Sequence, residues 1–365
     1  MEQVVFGIIG GGWRAEFFLR IARELPERFR VAGMLVRDAG KAARLEEAFG
    51  VPTHRTLDEL MRTRGMAFVI VSVPWPVSPV MLRELAERGM PALGETPPAP
   101  DLPGLIALWE FAQGLGARIQ VAEQYPFQPL HAARLAIARS GKLGRISQAQ
   151  VSACHGYHGT CLIRSFLGIE FEEATIRAHE FVMPIVESRG REGHGEVERV
   201  VDSKQVIAEL DFASVYRGDR FGIFDFTGDQ YFSYIRSHRV LVRGERGEIK
   251  DGEVRYLQDF RTPVELALRR VNTGEAGNLE GYHLKGYLAG AEWIYTNPYA
   301  PGRLTDDEIA IAACLDKMAV HAAGGPGYYG LAEASQDHYL GMLINQAAAS
   351  GQAVRAVRQP WAGKG

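Results

Sequence analysis

The feature that most restricts the fold lies at the start of the chain. Val4-Val5-Phe6-Gly7-Ile8-Ile9 runs into Gly10-Gly11-Gly12, and Trp13-Arg14-Ala15 opens a segment with apolar residues at Phe17, Phe18, Ile21, Ala22 and Leu25. An apolar β-rich run, a glycine cluster and a helical periodicity read as strand, tight turn and helix. Gly10, Gly12 and Ala15 fit the pattern G-x-G-x-x-G/A. There the first glycine makes the turn, and the second lets backbone approach a pyrophosphate. The third small residue lets the helix pack on its strand, while the helix N-terminus faces the negative charge. Gly10, Gly12, Trp13, Arg14 and Ala15 are therefore candidate dinucleotide contacts. The alternative is a glycine-rich turn that needs only close packing.

The next hundred residues repeat the alternation. Strands are expected at Arg30–Val36, near Val51, at Ala67–Val73 and Arg118–Ala122, with helices at Lys41–Phe49, Val77–Arg88 and Leu102–Leu115 between them. Such alternation predicts an α/β fold with a doubly wound parallel sheet covered on both faces. At the end of the second strand an acidic residue would bind the ribose hydroxyls of NAD, and a basic one the 2′-phosphate of NADP. Here Val36 occupies that place and Arg37 follows. The cofactor is expected to be NAD or NADP, with a lean to NADP. The competing reading has Arg37 stacked on adenine or in solvent.

Beyond Glu123 the pattern changes. Helices are expected at Leu130–Arg139 and Gly159–Leu167, and strands at Gly144–Ala153, Ala174–Phe181, Lys204–Tyr216, Asp219–Thr227, Arg239–Arg243 and Glu248–Leu257. These strands alternate more in polarity, as in an antiparallel sheet with helices on one face. Val186–Val201 reads as a charged loop containing glycine, and Asp306–Ala323 and Leu331–Ala349 as long helices. The tail Gln352–Gly365 is expected to fold back on the first domain.

Composition narrows the partners. A net charge of −3 over 365 residues, with no basic block, argues against nucleic acid or an anionic membrane. No uninterrupted apolar run approaches the roughly 20 residues that span a bilayer. With three cysteines and no signal peptide, reduced thiols and the cytoplasm are expected.

Several signatures in order resemble the Gfo/Idh/MocA oxidoreductases. They are the N-terminal turn, Val71-Ser72-Val73-Pro74, Glu95-Thr96-Pro97 in place of Glu-Lys-Pro, and Val121-Ala122-Glu123-Gln124-Tyr125 with Pro129. Gly141-Lys142-Leu143-Gly144-Arg145-Ile146 and Gly156-Tyr157-His158 continue the series. The resemblance implies a Rossmann domain at 1–123 and an α+β domain at 124–365, whose large, mostly antiparallel open sheet builds dimers or tetramers. It implies hydride transfer between NAD(P) and a hydroxyl of a sugar, polyol or related cyclic compound. Pro74, Glu95, Thr96 and Gln124 become candidate cofactor contacts. The departures are specific. The family's catalytic lysine falls on Thr96, and its D-x-x-x-H pair falls on Cys154 and His158. A following aspartate is Cys161, and a fourth-strand histidine is Ser78.

With the lysine gone, His158 is the leading general acid–base candidate, because imidazole titrates near neutrality. Tyr157, Tyr125 and Glu123 are candidate helpers; a packing or strut role is the alternative for each. Cys154, His155, His158 and Cys161 invite a zinc reading, but they lack a second ligand pair, so no metal is expected. Asp225, Gln230, Tyr231, Arg236 and His238, in the stretch Phe224–Arg239, offer the polar–aromatic mixture that a carbohydrate site needs, or equally an aromatic subunit interface; His155 is a further candidate substrate contact, or a turn residue. Asn278, Tyr282, His283 and Lys285 form a second such cluster. The expected function is an NAD(P)-dependent oxidoreductase of a sugar, glycoside or cyclic polyol. Two alternatives stand beside it: glycoside cleavage by transient oxidation with retained cofactor, and a non-catalytic dinucleotide- or sugar-binding regulator.

Overall fold

The computed structural model describes residues 2–190, 195–212, 219–277, 279 and 281–363. Its first elements are β1 (Val4–Ile9), α1 (Trp13–Glu24), β2 (Phe29–Leu35), α2 (Ala39–Phe49), β3 (Thr53–His54), α3 (Leu57–Met61) and β4 (Phe68–Val71). Then come α4 (Ser78–Glu87), β5 (Ala92–Gly94), α5 (Leu102–Leu115) and β6 (Ile119–Val121). The six strands form one sheet in the order β3-β2-β1-β4-β5-β6, and all pairings are parallel. Parallel strands covered on both faces cannot alternate in polarity. Accordingly Ile8, Ile9, Val69, Ile70 and Val71 are at most 1% exposed. Leu82, Leu85 and Leu108 pack on this sheet, each such side chain contributing about 1.5–3 kcal/mol on burial.

The chain continues through α6 (Pro129–Arg139), β7 (Ile146–Ser152), α7 (Gly156–Leu167), β8 (Ala174–Arg189), β9 (Glu196–Phe212) and β10 (Arg220–Phe226). Next are β11 (Arg239–Gly244), β12 (Gly247–Lys250), β13 (Glu253–Leu257), β14 (Pro263–Thr273), β15 (His283–Ala289) and β16 (Glu292–Thr296). Helices α8 (Asp306–Ala322) and α9 (Leu331–Ser350) and strand β17 (Val354–Ala356) complete it. The second sheet runs β16-β15-β14-β13-β12-β11-β7-β10-β9-β8-β17. From β14 through to β17 its pairings are antiparallel except that between β7 and β10, which is parallel. The fold is thus a Rossmann-type parallel sheet followed by a large, mostly antiparallel one.

Two compact units result: residues 1–129, 270–286 and 296–335, and residues 130–269, 287–295 and 336–365. In the first unit α8 packs on α1. Arg20 Nε reaches Glu308 Oε1 at 2.7 Å, and Arg28 Nη2 reaches Asp316 Oδ2 at 2.5 Å. A capping box starts α8: Thr305 accepts from the Glu308 amide, and the Glu308 carboxylate accepts from the Thr305 amide.

Four expectations are corrected. Val186–Val201 is largely hairpin, with Val186 opposite Val200 and Arg189 opposite Glu196. Residues 196–200 are exposed on both strand faces, so no alternation marked them. Pro184 pairs with Asp202 in a part of β8 that β17, paired only at residues 174–176, does not reach. Glu248–Leu257 is two strands, turned at Asp251, where φ is 55°. The tail adds β17 to the edge of β8, and Trp361 Nε1 donates to Gln336 Oε1 at 2.9 Å, within the second unit. Helix α7 begins at Gly156, three residues before its expected start. Of the strand expected at Lys204–Tyr216, residues 213–216 lie outside the described residues.

Candidate functional site

In the first unit the site is built on the turn after β1. Gly10 has a φ of +114°, and a Cβ there would stand 1.9 Å from the Ser72 carbonyl oxygen. Position 10 therefore excludes a side chain on two grounds. Gly12 differs. Its backbone is extended (φ −78°, ψ 174°) and it offers no side-chain cap to α1. A Cβ there would meet nothing within 4 Å. The side-chain direction at Gly12 is thus open, with no hydroxyl capping the N-terminus of α1, while Ala15 is fully buried. This geometry fits a pyrophosphate.

Trp13 stands clear of the turn, 72% exposed, with its ring edge on Phe17. Arg14 turns inward to Glu95 Oε1 (3.2 Å) and Asp307 Oδ2 (2.9 Å). Burial opposes its charge, but the two carboxylates more than offset that and raise its pKa. Burial pushes the Glu95 carboxyl upward against the pull of Arg14. Thr96 precedes a cis bond to Pro97, and Pro74 is exposed after β4. Glu123, 1% exposed, accepts from the Tyr125 amide at 3.0 Å, and burial pushes its pKa up to about 8. The Gln124 side-chain oxygen is buried without a hydrogen-bond partner among the described residues.

At the end of β2, Asp38 is turned to cap α2, accepting from the Lys41 amide at 2.6 Å. Arg37 is exposed. The Lys41 stem lies against Gly11, its Cδ 3.2 Å from where a Cβ would be. Arg55 Nη1 donates to the Val36 carbonyl at 3.2 Å.

In the second unit, α7 gathers the aromatic and imidazole groups. His155 is its N-cap residue. His155 Nδ1 lies 3.1 Å from Tyr231 Oη, and Nε2 lies 3.3 Å from Tyr157 Oη. The His158 ring, 5% exposed, sits 4.9 Å from His155 and 4.5 Å from Tyr157. Burial and the neighbouring His158 lower the His155 pKa to about 4, so His155 is neutral near pH 7. His338 on α9 meets the Tyr157 ring at 5.6 Å. Gln230 joins through the Ser152 carbonyl at 3.2 Å.

Asp225 and Arg236 make other contacts within the second unit. Phe226 faces His155 and Tyr231, so its strand neighbour Asp225 points to the opposite face of β10. There Asp225 accepts from Gln205 (2.5 Å) and Arg239 (2.6 Å). Arg236 reaches the Met183 sulfur at 3.7 Å. Tyr282 and His283 belong to the first unit, where Tyr282 is 60% exposed and His283 bonds Thr273. Asn278 lies outside the described residues. Cys154 precedes α7, and no metal-binding group of three His, Cys, Asp or Glu occurs among the described residues. No helix among them is long and apolar enough to cross a membrane. Sequence reasoning missed Asp307, Lys41 and His338; only Lys41, four residues after Arg37, carried a local signal.

Residues 4–123 match the oxidoreductase family with an NAD-binding Rossmann fold, GFO_IDH_MocA. Over these residues the chain is similar to the Gfo/Idh/MocA oxidoreductases. The inositol 2-dehydrogenase of Streptomyces avermitilis is 26% identical over 220 residues, 57% of this chain. The matched stretch spans 63% of that relative's length. Solved structures share the fold over nearly the whole chain. An oxidoreductase from Agrobacterium radiobacter in complex with NAD+, L-tartaric acid and magnesium has a TM-score of 0.67 at 16% identity, covering 96% of this chain and 98% of its own. Levoglucosan dehydrogenase in complex with NADH and levoglucosan has a TM-score of 0.69 at 16% identity, covering 98% and 100%.

Proposed function

We propose that this protein is an NAD(P)-dependent oxidoreductase that moves a hydride between the nicotinamide and a CH–OH carbon of a sugar, glycoside or cyclic polyol. The observation that carries it is the glycine turn after β1, where Gly10 has no room for a side chain and Gly12, at the start of α1, borders open space with no side-chain cap. The relatives named for inositol and levoglucosan support the substrate class. When bound, the cofactor supplies the hydride acceptor or donor. Gly10 and Gly12 admit the pyrophosphate, and Arg14, held by Glu95 and Asp307, fixes the first turn of α1. His158 takes the alcohol proton. Tyr157 and the neutral His155 orient its imidazole, and His155 carries no charge to compete with it. Thr96 gives the substrate or the nicotinamide amide a hydrogen bond, without a lysine's charge.

The end of β2 supports NADP over NAD. The carboxylate of Asp38 is committed to capping α2, while Arg37, Lys41 and Arg55 bring three cations there. Titration with 2′,5′-ADP and with 5′-ADP tests this: the first is expected to bind at least tenfold tighter, and equal affinities would contradict it.

For the reaction, the test is absorbance at 340 nm with a panel of sugars and polyols. His158→Ala is expected to lower turnover at least a hundredfold while nucleotide affinity stays within twofold. Surviving turnover would remove His158 from the proton's path. Thr96 favours one second reading, a dinucleotide-responsive binding protein; nucleotide binding with no spectral change on any substrate would select it.

A further inference from the structure

A cavity of about 500 Å³ in the second unit lies outside the site described above. Four arginines line it: Arg139 at the end of α6, Arg145 just before β7, Arg164 in the last turn of α7, and Arg220 opening β10. Arg164, 6% exposed, forms the floor, with Nη1 on Asp337 Oδ1 at 2.9 Å and Nη2 donating to the Glu170 carbonyl. Arg220 donates to the carbonyls of Leu167 and Gly168, the latter at 2.9 Å. Those carbonyls are the negative end of the α7 dipole. Covering them removes what would repel an anion there. The rim guanidiniums of Arg139 and Arg145 are exposed and make no ion pair or hydrogen bond with the described residues. Glu170 also lines the cavity, yet its carboxylate pairs with none of the four.

We propose that this cavity binds the phosphoryl group of a small molecule. Asp337 already balances Arg164, so the guanidiniums of Arg139 and Arg145 are the like charges at this concavity that a bound anion would satisfy. Guanidinium forks match phosphate oxygens bidentately, and a phosphoryl dianion offers three oxygens to several forks at once, where a carboxylate offers two. The volume suits a phosphorylated metabolite of sugar size. Nothing in this assignment depends on the redox reading.

The test is calorimetric titration of the full chain with inorganic phosphate, glucose 6-phosphate and glucose. It compares the wild type, Arg139→Ala/Arg145→Ala, and a control removing two exposed arginines elsewhere, Arg62→Ala/Arg64→Ala. The rim residues are exposed, so the double variant is expected to melt within about 1 °C of wild type. Phosphate and glucose 6-phosphate are expected to bind, glucose not, with affinity at least tenfold weaker in the rim variant and unchanged in the control. Tighter binding of glucose 6-phosphate than of phosphate identifies a phosphomonoester as the occupant; equal binding identifies free phosphate. Binding that the rim variant keeps in full, that falls equally in the control, or that never occurs overturns the proposal. Phosphate held at the nucleotide turn would persist in the rim variant, so the two sites are told apart.

Discussion

At the scale of single residues, Gly10 and Gly12 look alike in sequence and differ in the structure. Gly10→Ala forces a side chain into the Ser72 carbonyl at a φ of +114°. It is expected to cost about 3 kcal/mol or more in urea unfolding. Gly12→Val enters open space on an extended backbone and is expected to cost under about 1 kcal/mol. A buried carboxyl adds a pH signature. The folded-state pKa of Glu123 is about 8, against an ordinary 4.5, so the folded chain keeps a proton that the unfolded chain releases. Its contribution to stability is intact below pH 4.5 and lost as pH rises through 8. Glu123→Gln is expected to flatten that fall and leave the variant about 1–3 kcal/mol more stable than wild type at pH 9. Parallel stability curves from pH 4 to 9 would contradict it.

At the scale of elements, the parallel sheet was legible because strands covered on both faces show as unbroken runs such as Phe68–Val71. Strands were read at Ala174–Phe181 and from Lys204, but the far part of the β8–β9 hairpin, Val186–Val201, was not, because exposure of residues 196–200 on both faces erases the two-residue period. Asp225 was assigned to the carbohydrate group because composition marks a polar stretch but not which face of a strand each residue takes. Helix α8 was legible as a helix, yet its periodicity could not say that it would lie on α1 and deliver Asp307 to Arg14. Glu308 completes the cap of α8 and also pairs with Arg20. Glu308→Ala is therefore expected to cost about 2–3 kcal/mol, more than the roughly 1 kcal/mol of Thr305→Ala, which loses the cap alone. Equal costs in urea unfolding would show that the Arg20 bridge adds nothing.

For the whole molecule, the central claim is that the glycine turn after β1 holds a dinucleotide by its backbone. His158 and the phenols around it have a redox partner only if that claim holds. The family match covers residues 4–123, and the open space at Gly12 is the local geometry that gives that similarity chemical content. Calorimetric titration of wild type and Gly12→Val with NADP+ and NAD+ tests this directly, with melting curves confirming that both proteins are folded. The account predicts that wild type binds nucleotide in the micromolar range or tighter, and that the folded Gly12→Val protein binds at least a hundredfold more weakly. Wild type that binds neither nucleotide, or Gly12→Val that binds as wild type does, would contradict it.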